Sequence, residues 1–220
     1  MKGTLKFFSL FLILTMIFSI SAMASENNYE VGDLIGAEQS EFEQLINEIR
    51  VIKAEQPEYA ENMVQNILDE HHREFERGIV DIWNVLTDSE KKLCVRYPFD
   101  ALKVNTAKNI ATSQTEAKFG FNGLGDRSDA FRHGIWNAEM TILIGEEKAE
   151  LFATAHEDKD ITGYEPDGYP KTAHRDMDLH NNELGRRIGA ENAGVSEDEM
   201  ADIIYREINS SSTQFIWLHD

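Results

Sequence analysis

Apolar residues recur at three- and four-residue intervals along almost the whole chain, and that period restricts it to packed helices. Phe42, Leu45, Ile46, Ile49 and Ile52 form one such stripe. After Pro57, a second stripe runs from Ala60 through Met63, Ile67, His71, Phe75, Ile79 and Ile82 to Leu86, with a weak point at Gly78. Two Ser/Thr-x-x-Glu capping boxes, Thr87 with Glu90 and Ser196 with Glu199, mark further helix starts. Pro98 opens a helix running towards Lys118. The glycine-rich stretch from Phe119 to Gly125 has no strand before it and lacks the Gly-Lys of a phosphate loop, so it reads as a connector. Only the short segment Phe215 to Leu218 alternates with period two. The expected fold is all-α: a compact domain of about six or seven helices, without internal repeats.

The first 24 residues stand apart. Lys2 and Lys6 precede an apolar run from Phe7 to Ile20, and Ala22-Met23-Ala24 is a small-x-small cleavage pattern. The expectation is a signal peptide over 1–24, a flexible leader over 25–36, a helical extension over 37–84 and a helical domain over 85–220. The mature chain is expected to be secreted or extracytoplasmic, and no cysteine follows the cleavage pattern to carry a lipid anchor. Cys94 is the one cysteine, which excludes an intramolecular disulfide and any Cys-rich zinc module. The formal charge of −19 repels phosphate backbones, which argues against nucleic acid as a partner. A cell-envelope component or another secreted protein is the expected partner class.

The chemistry-bearing residues concentrate between Gly125 and Gly194. In the helix that starts near Ser128, read as its cap, Asp129, His133 and Asn137 recur every four residues and form one line. Phe131, Ile135, Ala138 and Ile142 make one apolar face of that helix; Trp136, Met140 and Leu143 make another, so burial on two sides is expected. In the next helix, about 146–157, His156 completes the stripe of Ala149, Phe152 and Ala153, with Glu157 beside it. In a third, roughly 176–188, Met177, Leu184 and Ile188 mark a buried face on which His180 and Asn181 also fall, flanked by Asp178 and Asn182, with Arg186 opposite. Each histidine alone is accounted for by a satisfied core or helix-end position. Three consecutive helices each aiming a histidine inward, each beside an acid or amide, point to a shared functional cluster.

Asp129-Ala-Phe-Arg-His133 with Trp136-Asn137, then Ala155-His-Glu157, then Met177-Asp-Leu-His-Asn-Asn182 with Gly185, resembles an uncharacterised bacterial domain family of secreted, cell-wall-associated and polymorphic-toxin C-terminal proteins. The resemblance covers about residues 85–195. It implies a compact helical domain with these polar residues as its signature, and it implies no reaction.

A serine nucleophile lacks the Gly-x-Ser-x-Gly elbow, and Cys94 has no base that the sequence places beside it. Water activated by histidine, or by a divalent metal ion, fits the residue types better. The candidate catalytic residues are His133, His180, Asp178, Asn137 and Asn181; the candidate metal ligands are Asp129, His133, His156, Asp178 and His180. No His-Glu-x-x-His exists, so a metal would be held across helices, and a metal-free acid–base pair draws on the same residues. Asp158 to Gly163 matches the opening of a calcium loop, but Tyr169 stands where the bidentate Glu belongs. The loop from Asp158 to Arg175 can act as a lid or as a plain connector. His71 and His72 read as structural, and His219 as mobile. Two functions follow: a secreted hydrolase, toxin-like or directed at the cell envelope, or a non-catalytic binding or structural module whose polar core fixes the fold.

Overall fold

The computed structural model of the protein describes residues 31–55 and 77–220. Eight helices are present among them: α1 (Val31–Glu55), α2 (Arg77–Val85), α3 (Asp88–Arg96), α4 (Pro98–Phe119), α5 (Arg127–Ile144), α6 (Glu146–His156), α7 (Lys171–Glu191) and α8 (Glu197–Ile208). The signal pattern, most of the stripe from Ala60 to Leu86, and His71 with His72 lie outside the described residues. No strand occurs among the described residues; the segment after α8 is irregular rather than paired, and Tyr164 with Pro170 makes an isolated bridge. None of the described helices is long and apolar enough to cross a membrane.

The helix boundaries have local causes. At α3 the Thr87 hydroxyl accepts the Glu90 amide while the Glu90 carboxylate accepts the Thr87 amide, and Ser196 and Glu199 repeat this at α8. Pro98 supplies the fixed φ of the first turn of α4, where a missing N–H costs nothing. α1 begins at Val31, inside the stretch read as a leader, and α7 begins at Lys171, ahead of Asp176. The cap of α5 is Asp126 and not Ser128: Asp126 Oδ1 accepts the amides of Ser128 and Asp129 at 2.8 and 3.0 Å. Ser128 instead donates its hydroxyl to Asp126 and accepts the Gly123 amide, tying the glycine-rich turn to the helix.

α5 is the central helix. From Ser128 to Thr141 every residue except Arg132 is buried. Phe131, Ile135 and Met140 share one apolar core with Leu45, Ile46 and Ile49 of α1, which packs on α4, and with Met200, Ile204 and Ile208 of α8. Phe119, Phe131 and Tyr205 form an aromatic trio, with Phe119 5.4 Å from each of the other two rings. Cys94 is buried, and burial pushes its thiol well up, which removes it as a nucleophile.

α7 lies closest against α5. A Cβ on Gly185 would stand 2.2 Å from the Gly134 carbonyl oxygen, and one on Gly189 would stand 2.6 Å from that of Ala138. The two backbones touch because these positions carry no side chain. Gly185→Ala is therefore expected to destabilise the fold by about 1–3 kcal/mol, since backbone must shift to admit the methyl. Urea unfolding of that variant against wild type checks this.

Glu139 sits on α5 with its Oε1 buried and without a hydrogen-bond partner. Burial and, secondarily, the Glu197 charge push its carboxyl from an ordinary 4.5 up to about 7. The folded state thus holds a proton that the unfolded state releases, and stability falls as pH rises between those two values. Glu139→Gln keeps the shape and removes the titration. Its melting temperature should exceed that of wild type by a margin that grows from pH 5 to pH 8; a constant margin would contradict the assignment.

Candidate metal centre

The contact of α5 with α7 sets two lines of side chains against each other. Asp129, His133 and Asn137 come from α5; Asp178, Asn182 and Arg186 come from α7. Both lines use the four-residue spacing that stacks side chains on one face. Arg186 Nη1 donates to Asn137 Oδ1 at 3.1 Å. Asn137 Nδ2 donates to Asn182 Oδ1 at 2.6 Å and to the His133 carbonyl at 3.1 Å. Asn182 Oδ1 lies 3.1 Å from His133 Nδ1.

This relay decides the histidine tautomer. A guanidinium only donates, so Asn137 must present its oxygen to Arg186 and its amide nitrogen to Asn182. Asn182 then faces His133 with an oxygen, and His133 Nδ1 must carry the hydrogen. The lone pair is left on Nε2. That atom points at two carboxylates: it is 3.6 Å from Asp129 Oδ1 and 3.4 Å from Asp178 Oδ1.

The two carboxylates differ. Burial pushes Asp129 up, but the Arg132 guanidinium, His133 and the Gly125 amide together outweigh it and hold the carboxyl below the usual range. Arg132 pairs with its Oδ1, and the Gly125 amide donates to Oδ2 at 2.7 Å. Asp178 has no such support. Burial, then the charges of Asp129 and Glu157, push its carboxyl well above the ordinary value. Its Oδ1 is buried and accepts no hydrogen bond. His133 itself is lowered, burial outweighing the pull of Asp129 and Glu157, so the neutral ring persists.

Three acceptors therefore face one another: His133 Nε2 and one oxygen each of Asp129 and Asp178, all within 4.8 Å. Among the described residues this is the group of acids and histidines placed closely enough to share an ion. Glu157, the cap residue after α6, is also buried, with an unpartnered Oε1, and its charge acts on both His133 and Asp178. The sequence placed Glu157 beside a stripe without showing that it turns inward; its position at a helix end leaves the direction to the following loop.

The other candidate residues lie elsewhere. His156 donates from Nδ1 to Glu90 Oε1 at 2.8 Å and accepts Lys159 Nζ on Nε2 at 3.0 Å. Trp136 stands edge-on to both rings, 6.2 Å from His133 and 5.2 Å from His156, so it separates them. His180 is exposed and donates from Nε2 to the Gln214 carbonyl at 2.7 Å. Asn181 is buried and grips Ile216 through both backbone groups, at 2.9 and 3.1 Å. Neither side chain joins the acid–histidine group. The glycine seam turns α7 so that 178, 182 and 186 face α5, while 180 and 181 face the segment after α8. Arg186, expected opposite the buried face, joins the relay for the same reason.

The loop from 158 to 170 gathers no carboxylates. Asp160 accepts the backbone and hydroxyl of Thr162, and Asp158 accepts the Ser89 hydroxyl. A cavity of about 520 Å³ lies between α7 and α8, lined by Leu184, Arg187, Ile188, Arg206 and Gln214 among others. It contains no histidine, so the chemistry rests with the buried group. Histidine-selective ¹⁵N NMR checks the relay: His133 should be a neutral Nδ1–H tautomer, staying neutral to below the ordinary 6.5. An Nε2–H tautomer would overturn it.

The family described as Domain of unknown function (DUF6973) matches residues 91–212. No curated protein and no solved structure matches the chain.

Proposed function

We propose that this chain, which belongs to the DUF6973 family of domains of unknown function, holds a divalent cation on Asp129, His133 and Asp178 and uses it to activate water in a hydrolytic reaction. The observation that carries the reading is the convergence of the His133 lone pair with two carboxylate oxygens at 3.4 and 3.6 Å. Neighbouring ligands about 2.1 Å from a tetrahedral ion stand about 3.4 Å apart, so this spacing suits a shared cation. Acceptors crowded in a low-dielectric site need positive charge between them. Three acids, Asp129, Asp178 and Glu157, stand around a neutral histidine, and Arg132 pairs directly with only the first of them.

Three protein ligands are the pattern of catalytic rather than structural sites, because positions stay open for water and substrate. A bound cation lowers the pKa of its water towards neutrality. Within this reading Asn182 fixes the His133 ring through Nδ1, and Gly125 with Arg132 fixes Asp129. Glu157, buried with an unpartnered Oε1, is the proton acceptor. The export pattern at the start of the sequence and the resemblance to secreted and toxin-borne domains support an extracytoplasmic setting with a cell-envelope or protein target.

Equilibrium dialysis and calorimetry with Zn²⁺ and Mn²⁺ test the centre. Wild type should bind one ion and release protons on binding, since the ligands must be deprotonated. Loss of an outer partner costs about 10–100-fold in affinity, so Asp178→Asn and His133→Ala, which remove ligands, should lose more than about a hundredfold. At a cation concentration 100 times Kd, stability should rise by about 2.7 kcal/mol. Absence of binding, together with a higher melting temperature for Asp178→Asn, would instead favour the non-catalytic module, whose interlocked Arg186–Asn137–Asn182–His133 relay serves the fold alone.

A further inference from the structure

Asp129 is held by a turn, and the turn is held in its place by a remote part of the chain. The Gly125 amide donates to Asp129 Oδ2 at 2.7 Å on the inner side. On the outer side the Gly125 carbonyl accepts the Leu218 amide at 2.7 Å. The preceding carbonyl, that of Leu124, lies 3.0 Å from His219 Nε2. The same nitrogen lies 3.2 Å from Asp167 Oδ2. Both partners are acceptors, so His219 Nε2 must carry a hydrogen and is shared between them.

His219 is itself seated. Its ring stacks on Tyr169 at 5.5 Å with 25° between the planes. Asp167 is gripped from the other side by His174 Nε2 at 3.0 Å. Gly125 has φ +73°, and a Cβ there would meet Asp167 Oδ2 at 2.6 Å, His174 Cε1 at 2.7 Å and His219 Nε2 at 3.3 Å. The turn thus presses directly on this clasp, where no other residue type fits. The expectation that His219 is mobile is corrected by these contacts.

The segment before His219 is anchored along its length. Arg187 Nη2 donates to Gln214 Oε1 at 2.6 Å, and His180 and Asn181 hold the backbone of Gln214 and Ile216. Phe215 is buried against Gly134, the residue after His133; a Cβ on Gly134 would stand 2.7 Å from its ring.

We propose that residues 213–220 form a positioning strap for the acid–histidine group, with His219 as the positioning residue that locks the Leu124–Gly125 turn so that the Gly125 amide can orient Asp129. The metal-affinity part of this inference rests on the cation reading; the mechanical part, the hold on the Gly125 amide, does not. A purely stabilising tail would need contact with the core, which Phe215 already supplies. The contacts of Leu218 and His219 instead converge on the two peptide groups that precede Asp126, one of which donates to a candidate ligand.

The test uses the full chain and two variants. His219→Phe keeps a ring for Tyr169 but has no donor; His219→Gln has a donor but no ring. Three quantities are read: Mn²⁺ affinity by electron paramagnetic resonance, melting temperature, and hydrogen exchange at the Gly125 amide. His219→Phe is expected to weaken Mn²⁺ binding by about tenfold or more, the usual range for loss of an outer partner. Its melting temperature should stay near that of wild type, and the Gly125 amide should exchange faster. His219→Gln should restore binding to within about threefold, below the range for a lost outer partner. Wild-type affinity and wild-type Gly125 protection in His219→Phe overturn the proposal. A loss of affinity that His219→Gln does not rescue, and that follows the melting temperature, also overturns it. If wild type binds no Mn²⁺, the cation reading falls separately, and exchange at Gly125 alone decides for or against the strap.

Discussion

The close approach of α5 to α7 is the constraint on which the rest depends. Ordinary helix pairs stand about 8–10 Å apart because side chains fill the space between them. Here Gly185 lies against Gly134 and Gly189 against Ala138, so backbone meets backbone. The pairings rise together along both chains: His133 with Asp178 and Asn182, Asn137 with Asn182 and Arg186. The two helices therefore run in the same direction at this contact, with α6 and the loop after it supplying the return. Short polar side chains beside such a seam bridge it with direct hydrogen bonds. At a wider spacing, Asn and Asp would not reach, and the same residues would need water between them.

The polar ladder is not where folding stability comes from. A buried polar network contributes little net free energy compared with apolar packing, and its unpaired members cost about 1–3 kcal/mol each. Of the seven such buried atoms among the described residues, four, Trp136 Nε1, Glu157 Oε1, Asp178 Oδ1 and Asn182 Nδ2, belong to residues around His133. The compensating packing lies on the other faces of α5, which rest on α4 and α8 and carry Phe131, Ile135 and Met140 into the apolar core. One helix thus carries an apolar surface that fixes it and a polar line that is fixed by it. Four of seven gathered around one histidine mark a place shaped for something other than stability.

Much of this was legible from residue spacing. The α1 stripe, both capping boxes, Pro98 and the line of Asp129, His133 and Asn137 are local patterns, and local geometry realises them directly. The rotation of α7 was not legible in the same way. A hydrophobic wheel weighs Met177, Leu184 and Ile188, whereas the contact is made by Gly185 and Gly189, which carry no side chain to weigh. Turning the helix to suit the glycines moves His180 out to Gln214 and brings Arg186 in to Asn137. Glu157 and His219 escaped for a different reason. Their directions depend on a loop and on an irregular segment, where no period relates one side chain to the next. The domain boundaries and the export pattern were readable only as sequence, since the latter lies outside the described residues.

The last step concerns the two carboxylates. They share one histidine nitrogen, yet their surroundings push them in opposite directions: Asp129 down, by Arg132, His133 and the Gly125 amide against its burial, and Asp178 up, by its burial and two neighbouring acids. Environments that separate the titrations of paired groups also separate their roles. Asp129 is a fixed anion whose charge is committed to a guanidinium and a backbone turn. Asp178, whose Oδ1 lacks a donor, stays raised despite the charges of Arg132 and Lys159, and a proton or a cation would compete for that oxygen. The fold therefore gives one carboxylate direct donors and leaves an oxygen of the other without one. This asymmetry originates in the chain's connections: Asp129 follows a glycine turn that offers it an amide, while Asp178 stands inside α7, where every nearby amide is already used by the helix itself.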